Sequence, residues 1–189
     1  PTRRSSDLNI LIYAEDGASA AKQTAALQWI EHLWRARTGR ISTQVLNEFY
    51  VNVTRKLKPP MPQGDARATV RRFAAGWNPW QIDQATVETA WAMEARHGLQ
   101  YWDCLVLAAA QHSGCALVLS EDMQHQGRYG AVQVINPFLA SIDEVLTGMK
   151  CEVDPQNVEV EDDGFDLDDV ICADGQYDIK LDAAFNVVE

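Results

Sequence analysis

With 189 residues, 47% hydrophobic and 23% charged, the chain is long enough for one well-buried globular domain with an appendage, and too short for two full domains. A net charge of −11 would weigh against a polyanionic partner, but residues 151–189 carry 13 of the 27 acidic residues and one of the 16 basic ones, which puts −12 on the tail and +1 on the body. No run of about 18 apolar residues and no charged-then-apolar leader occurs, so neither a membrane span nor a signal peptide is expected, and the cytoplasm is the default compartment.

In chain order, the opening "PTRRSSDL" has no initiator Met and reads as linker or vector sequence, so residues 1–8 are expected to be a non-native start. "NILIYAED" is a short β-rich run and is expected to be a strand. "SAAKQTAALQWIEHLWRAR" places Ala21, Ala25, Trp29, Leu33 and Trp34 near helical spacing, with Gly39 as its stop. "RIST" predicts a brief second strand, and Ser42 or Thr43 then caps a helix through "QVLNEFYVNVTRKL" that Pro59 and Pro60 end. Helices follow over "PQGDARATVRRFAAG" and "ATVETAWAMEARHG", the second closed by Gly98, with a short "PWQID" segment between them. "YWDCLVLAAAQHSG" predicts a helix, "CALVLS" and "VQVIN" strands, and "PFLASIDEVL" a last short helix.

A composition shift near residue 148 marks a boundary between a body over residues 7–148 and an acidic extension over 149–189. In the extension, "VEVE" and "YDIKLDAAFNVV" alternate as strands do, and the acid-rich middle is expected to be a loop. "DDGFDLDD" lacks the spacing and closing Glu of an EF-hand, which favours a solvated loop over a Ca²⁺ site. The four cysteines (Cys104, Cys115, Cys151 and Cys172) show no Cys-x-x-Cys spacing, and two lie inside apolar runs. Free thiols are therefore expected, rather than disulfides or a zinc site.

Strands separated by helices imply parallel pairing through right-handed crossovers, hence an α/β fold: a three-layer α/β/α sandwich with a central parallel sheet. Ligands of such sheets bind beyond the carboxyl ends of the strands. That rule gives four acids a common place: Asp7 at the first strand, Glu48 early in the helix after the second, Asp103 opening the helix that feeds the next strand, and Asp122 directly after "LVLS". Four gathered carboxylates repel one another and lose solvation, so either some protonate or a divalent cation holds them. Hard oxygen ligands suit Mg²⁺ or Mn²⁺ rather than zinc.

"DLNILIYAEDG", "STQVLNEFY", "YWDCLVLAAAQHSGC" and "VLSEDMQHQ" together resemble the four blocks of a PIN domain, specifically the VapC-type toxin ribonucleases, over about residues 7–146. The first block reads Asp7-Leu8-Asn9, where the family carries a hydroxyl residue between the two. The resemblance implies a PIN-like fold and a Mg²⁺- or Mn²⁺-dependent endoribonuclease with Asp7, Glu48, Asp103 and Asp122 as acidic site residues and Asn9 and Ser120 in support. It further implies an RNA substrate, transfer RNA included, a homodimer and a small cognate antitoxin. The rival from another class is a catalytically impaired PIN-like module that binds nucleic acid or protein.

Other polar and aromatic residues have plainer readings. Arg55, Lys56, Lys58, Arg71 and Arg72 could track an RNA backbone, but solvated helix charge explains them nearly as well. His32, His97, His112 and His125 read as packed or surface histidines. Trp77, Trp80, Trp91 and Trp102 read as core or interface anchors rather than base-stacking platforms.

Overall fold

The run "NILIYAE", expected to be a strand, is helical, and this one change re-sites the first block. In the computed structural model, which describes residues 3–6 and 8–188, strand β1 spans Arg3–Ser6 and helix α1 spans Leu8–Glu15. A continuous apolar run does not separate a buried strand from a buried helix by periodicity. Ile10 and Leu11 are fully buried, while Ile12, Tyr13 and Ala14 are partly buried against the same core. Residues 3–6, read as a non-native start, pair in parallel with a strand on each side. Backbone hydrogen bonds make those pairings, and they need no apolar side chain.

Helix α2 (Ala20–Ala36) begins at Ser19, whose hydroxyl accepts from the Lys22 amide, and buries Ala21, Ala25, Ala26, Ile30 and Leu33 along one stripe. Its stop is Arg37 in the left-handed conformation, not Gly39, which instead opens strand β2 (Gly39–Arg40). Ser42 caps helix α3 (Thr43–Arg55) as expected, accepting from the Val45 amide at 3.2 Å. The helix ends before Pro59 and Pro60 are reached. Helices α4 (Gln63–Trp77) and α5 (Gln84–His97) follow, with Asp83 capping α5 and Gly98 closing it at φ 69°. Trp77 is buried in an aromatic cluster with Trp34 and Phe73, which bears out its reading as a core residue.

Helix α6 (Tyr101–His112) is buried at every position from Cys104 to Ala110. A helix apolar on all sides belongs in the core. It turns at Gly114 (φ 70°) into strand β3 (Cys115–Leu119), so its first turn lies beside the carboxyl end of that strand. Strands β4 (Arg128–Tyr129) and β5 (Val132–Ile135) complete a five-stranded sheet in the order β2-β1-β3-β5-β4. The pairings β1–β2, β1–β3 and β3–β5 are parallel. β4 departs from the expected all-parallel order: joined to β5 by a tight turn at Gly130 (φ 63°), it pairs antiparallel.

The fold is α/β. Helix α7 (Pro137–Met149) leads out of this sheet, so the composition boundary near residue 148 falls in its last turn.

The acidic middle of the tail, expected to be a loop, is its longest strand. Strands β6 (Cys151–Glu152), β7 (Val158–Val160), β8 (Gly164–Cys172) and β9 (Gly175–Asp182) form an antiparallel sheet in which β8 pairs with all three others. Along β8, Phe165 and Leu167 face inward, and a register shift before Val170 returns that side chain to the buried side. Asp168 and Asp169 are left exposed. The alternation was present in "GFDLD", but the acidic outward positions masked it.

Cys151 and Cys172 sit opposite each other in the β6–β8 pairing and form a disulfide, which overturns the free-thiol expectation for that pair. Strand pairing brings together two cysteines 21 residues apart, which no local spacing rule can see. Cys104 and Cys115 are buried and lie outside the disulfide, as expected. The tail sheet packs on the body. β8 contacts α2 and β6 contacts α7, while the Ala20 amide donates to the Asp162 carbonyl at 3.1 Å. Phe165, Leu167, Val170, Ile179 and Leu181 are continuous with the body's core.

Candidate active site

Three of the four expected acids converge from different elements. Glu48 lies on the second turn of α3, Asp103 in the first turn of α6, and Asp122 three residues beyond the end of β3. The Asp103 carboxyl is pushed above the usual carboxylate range, first by burial and then by the charges of Asp122 and Glu48. Asp122 is exposed, yet its carboxyl is also pushed up, first by partial desolvation and then by Glu121, against the opposing pull of Lys22 and of an Asn9 hydrogen bond. Asp7, the fourth expected acid, lies outside the described residues, between β1 and α1 in the chain.

The supporting residues have specific partners. Asn9 Nδ2 donates to Asp122 Oδ2, tying α1 to the turn after β3. Ser120 is fully buried; its hydroxyl accepts from the Asp122 amide at 3.2 Å, and its own amide donates to the Ile135 carbonyl at 3.0 Å. That short-range hydroxyl-to-amide bond is a turn device that sets the backbone from which Asp122 projects. Gln44, one helical turn before Glu48, donates from Nε2 to Glu48 Oε1 at 3.1 Å and to the Trp102 carbonyl at 3.4 Å.

A second group beside the carboxylates escaped the reading of the sequence. Lys22 Nζ meets Glu121 Oε2 at 2.8 Å and the Tyr13 hydroxyl at 3.2 Å, and it lies over the Tyr13 ring at 4.6 Å from the centroid. The Tyr13 hydroxyl also donates to Glu121. Asn9 and Tyr13 are i and i+4 on α1, so one helix face holds two successive acids, Glu121 and Asp122. That spacing is the available signal, and a strand reading of "NILIYAE" hides it, because i and i+4 of a strand are about 13 Å apart.

Burial works against the Lys22 ammonium, but its bonds to Glu121 and Tyr13 outweigh it and raise its pKa. A raised lysine pKa means the pair's contribution is complete below the ordinary value of 10.5 and is lost as pH rises through the raised one. With side chains only 21% and 16% exposed, Lys22→Met is expected to cost about 1–2 kcal/mol at pH 7, because Glu121 is left without its cation. Urea unfolding of both proteins checks this: the difference should narrow above pH 10.5, and a difference unchanged by pH would show that packing, not charge, is responsible.

The cations read as RNA contacts are placed elsewhere. Arg55, Lys56, Lys58, Arg71 and Arg72 are all exposed, and none of them contributes to the shifts of Asp103 or Asp122. Arg72 lies over the Phe73 ring and joins Leu27, Ile30, Glu31, Trp34 and Arg35 in lining an open groove of about 530 Å³ between α2 and α4. The histidines have structural partners: His112 Nε2 meets the Thr89 hydroxyl at 2.9 Å, His125 Nδ1 accepts from the Asn136 amide at 3.0 Å, and the His97 ring packs edge-on against Tyr129.

Among the described residues, no group of three or more His, Cys, Asp or Glu side chains is placed to hold a metal ion. The donor chemistry nonetheless fits a hard divalent cation, since Asp103 sits in the field of two other carboxylates and all three are oxygen donors.

The fold and the chain's sequence can be set beside those of known proteins. A chain of the VapBC2 complex from Rickettsia felis, solved bound to a DNA fragment from its promoter, is similar in fold with a TM-score of 0.51 at 14% identity, over 70% of this chain and 97% of that one. No curated protein is a significant sequence match. The PIN domain matches residues 7–130, from the residue that follows β1 to the β4–β5 turn, and includes Glu48, Asp103 and Asp122. With that match covering most of the chain and all of its convergent acids, the protein belongs to the PIN domain family.

Proposed function

We propose that the chain is a metal-dependent endoribonuclease, the toxin of a type II toxin–antitoxin pair, and that it hydrolyses RNA phosphodiester bonds, those of transfer RNA included. One observation carries the reading: Glu48, Asp103 and Asp122 reach one neighbourhood from three separate elements, where burial and the charges of Asp122 and Glu48 push the Asp103 carboxyl up. A site meant only to stabilise the fold would pair or separate these acids, because unpaired like charges destabilise it. Membership of the PIN family and likeness in fold to a VapBC2 chain support the same reading, on which the α/β body is a three-layer α/β/α sandwich.

Asp103 and Asp122 would hold Mg²⁺ or Mn²⁺, with Glu48 as ligand or water-orienting group and Asp7 as the fourth acid. When bound, the ion supplies positive charge to the scissile phosphate and acidifies the attacking water. The protein's own part is orientation. Asn9 occupies one oxygen of Asp122 and Gln44 one oxygen of Glu48, which holds each carboxylate in a single rotamer and leaves its second oxygen for ligation. No covalent nucleophile is needed.

The partners on this reading are RNA, a cognate antitoxin and a second copy of the chain, and the compartment is the cytoplasm. No helix among the described residues is long and apolar enough to cross a membrane. In a reducing cytoplasm Cys151 and Cys172 stay paired only if their potential lies below that of the glutathione pool.

The rival reading is a silent PIN-like module that binds nucleic acid or protein. Cleavage of a labelled transfer-RNA pool by the purified chain, with Mg²⁺, with Mn²⁺ and with chelator, separates the two. Metal-dependent cutting that the chelator stops is the expected result. A folded protein that cuts under none of these conditions would overturn the nuclease reading in favour of the silent module.

A further inference from the structure

Helix α6 buries every residue from Cys104 to Ala110, yet Trp102, with the largest side chain on the helix, is 60% exposed immediately beside Asp103. An exposed indole forgoes the burial that normally stabilises so large an apolar group. Its position is nevertheless held. Gln44 Nε2 donates to the Trp102 carbonyl at 3.4 Å and to Glu48 at 3.1 Å, so one amide group ties the backbone of Trp102 to a carboxylate of the candidate site. The Tyr101 ring meets the indole at 5.3 Å between centroids with planes 65° apart, an edge contact that leaves most of the ring system uncovered. Adjacent residues on a helix diverge by about 100°, so the indole flanks the carboxylates without filling the space between them.

From this we propose that Trp102 is a stacking platform for an unpaired nucleobase next to the scissile phosphate. The proposal rests on the nuclease reading. Only an unpaired, unstacked base offers a free π-face to an indole, since in a duplex both faces are taken by neighbouring base pairs. Trp91 is comparably exposed at 51%, but no described hydrogen bond ties it to the carboxylates, and it serves as the control.

The test measures binding of a labelled oligoribonucleotide to the full chain, single-stranded and as a duplex, by fluorescence anisotropy in chelator, which stops metal-dependent cleavage. Cleavage kinetics with Mg²⁺ are followed alongside. Trp102→Ala is expected to weaken single-strand binding by about 5- to 100-fold, the range that base–aromatic stacking supports. Trp102→Leu, apolar but without a π-face, should fall equally, and Trp102→Phe should keep most of the affinity. Duplex binding and the Trp91→Ala variant should be unchanged, and the loss should appear in KM with kcat preserved at saturating substrate. Wild-type affinity in Trp102→Ala and Trp102→Leu, or an equal loss for single strand and duplex, would overturn the proposal while leaving a nuclease that still cuts. A Trp102→Ala variant that binds RNA normally but changes its mass in solution would make the residue an interface anchor instead. A wild-type chain that neither binds nor cuts RNA would remove the nuclease reading, and this proposal with it.

Discussion

Asp103→Asn is expected to lower RNA cleavage on the order of 10²–10³-fold and, at the same time, to raise the melting temperature. Asn keeps the shape of Asp and removes the charge that Asp122 and Glu48 oppose. Because folding raises the Asp103 pKa, the native state binds the proton more tightly than the unfolded chain. Stability therefore falls as pH rises from the unfolded value through the raised one, and the penalty is complete above it. At pH 7 the wild type bears that penalty and the variant does not. A gain of about 0.5–1 kcal/mol, roughly 1–4 °C for a chain of this size, is the expected difference. The variant's stability should also decline less between mildly acidic and neutral pH. Mg²⁺ should stabilise the wild type more than the variant, since a ligand that binds only the native state adds to its stability. Thermal melts at two pH values, with and without Mg²⁺, read all three effects. Retained cleavage in Asp103→Asn would remove the residue from the site, and a lowered melting temperature would show that its charge is compensated.

Opening the Cys151–Cys172 disulfide is the second large effect. The bridge closes a loop of 21 residues' separation, and the loop-closure entropy it removes from the unfolded chain corresponds to about 3 kcal/mol. Reductant, or Cys172→Ser without reductant, should lower stability by that amount. If the tail sheet and the body unfold together, the melting temperature drops by roughly 6–12 °C. If they separate, a new early transition appears, confined to residues 151–182. The continuous core that joins Phe165 and Leu167 to the body favours the single transition. Hydrogen exchange across β8 and β9 distinguishes the two outcomes. Identical melts for the oxidised, reduced and Cys172→Ser proteins would show that the pairing of β8 with its neighbours holds the tail without the bridge.

Where local chemistry decides, the sequence was readable. Ser42, Asp83 and Gly98 cap or close helices through bonds and backbone conformations reached within a few residues, so Ser42 and Gly98 were legible as signals. The four blocks of the resemblance contain the acids that the structure gathers, because their spacing along the chain follows the alternation of strand and helix. Elsewhere local signals were ambiguous or outweighed. "NILIYAE" is apolar on every side, and only its packing as a helix reveals that Asn9 and Tyr13 share a face. Arg37 ends α2 in the left-handed conformation, where Gly39 offered the lower-cost stop, because Gly39 is used in β2. In β8, aspartates alternate with buried Phe165 and Leu167, so a composition that reads as a loop is a strand.

The sequence by itself determined the α/β class, the order of most elements, the split of charge between body and tail, and the identity of Glu48, Asp103 and Asp122 as candidate acids, since each depends on residue type and near-neighbour spacing. The tertiary structure alone decided that Asp103 lies in the field of Asp122 and Glu48, that Lys22 and Tyr13 hold Glu121, that Gln44 links Glu48 to Trp102, and that Cys151 meets Cys172. These are contacts between elements far apart in the chain. Their partners are set by how helices and strands pack, and packing depends on all the buried residues at once.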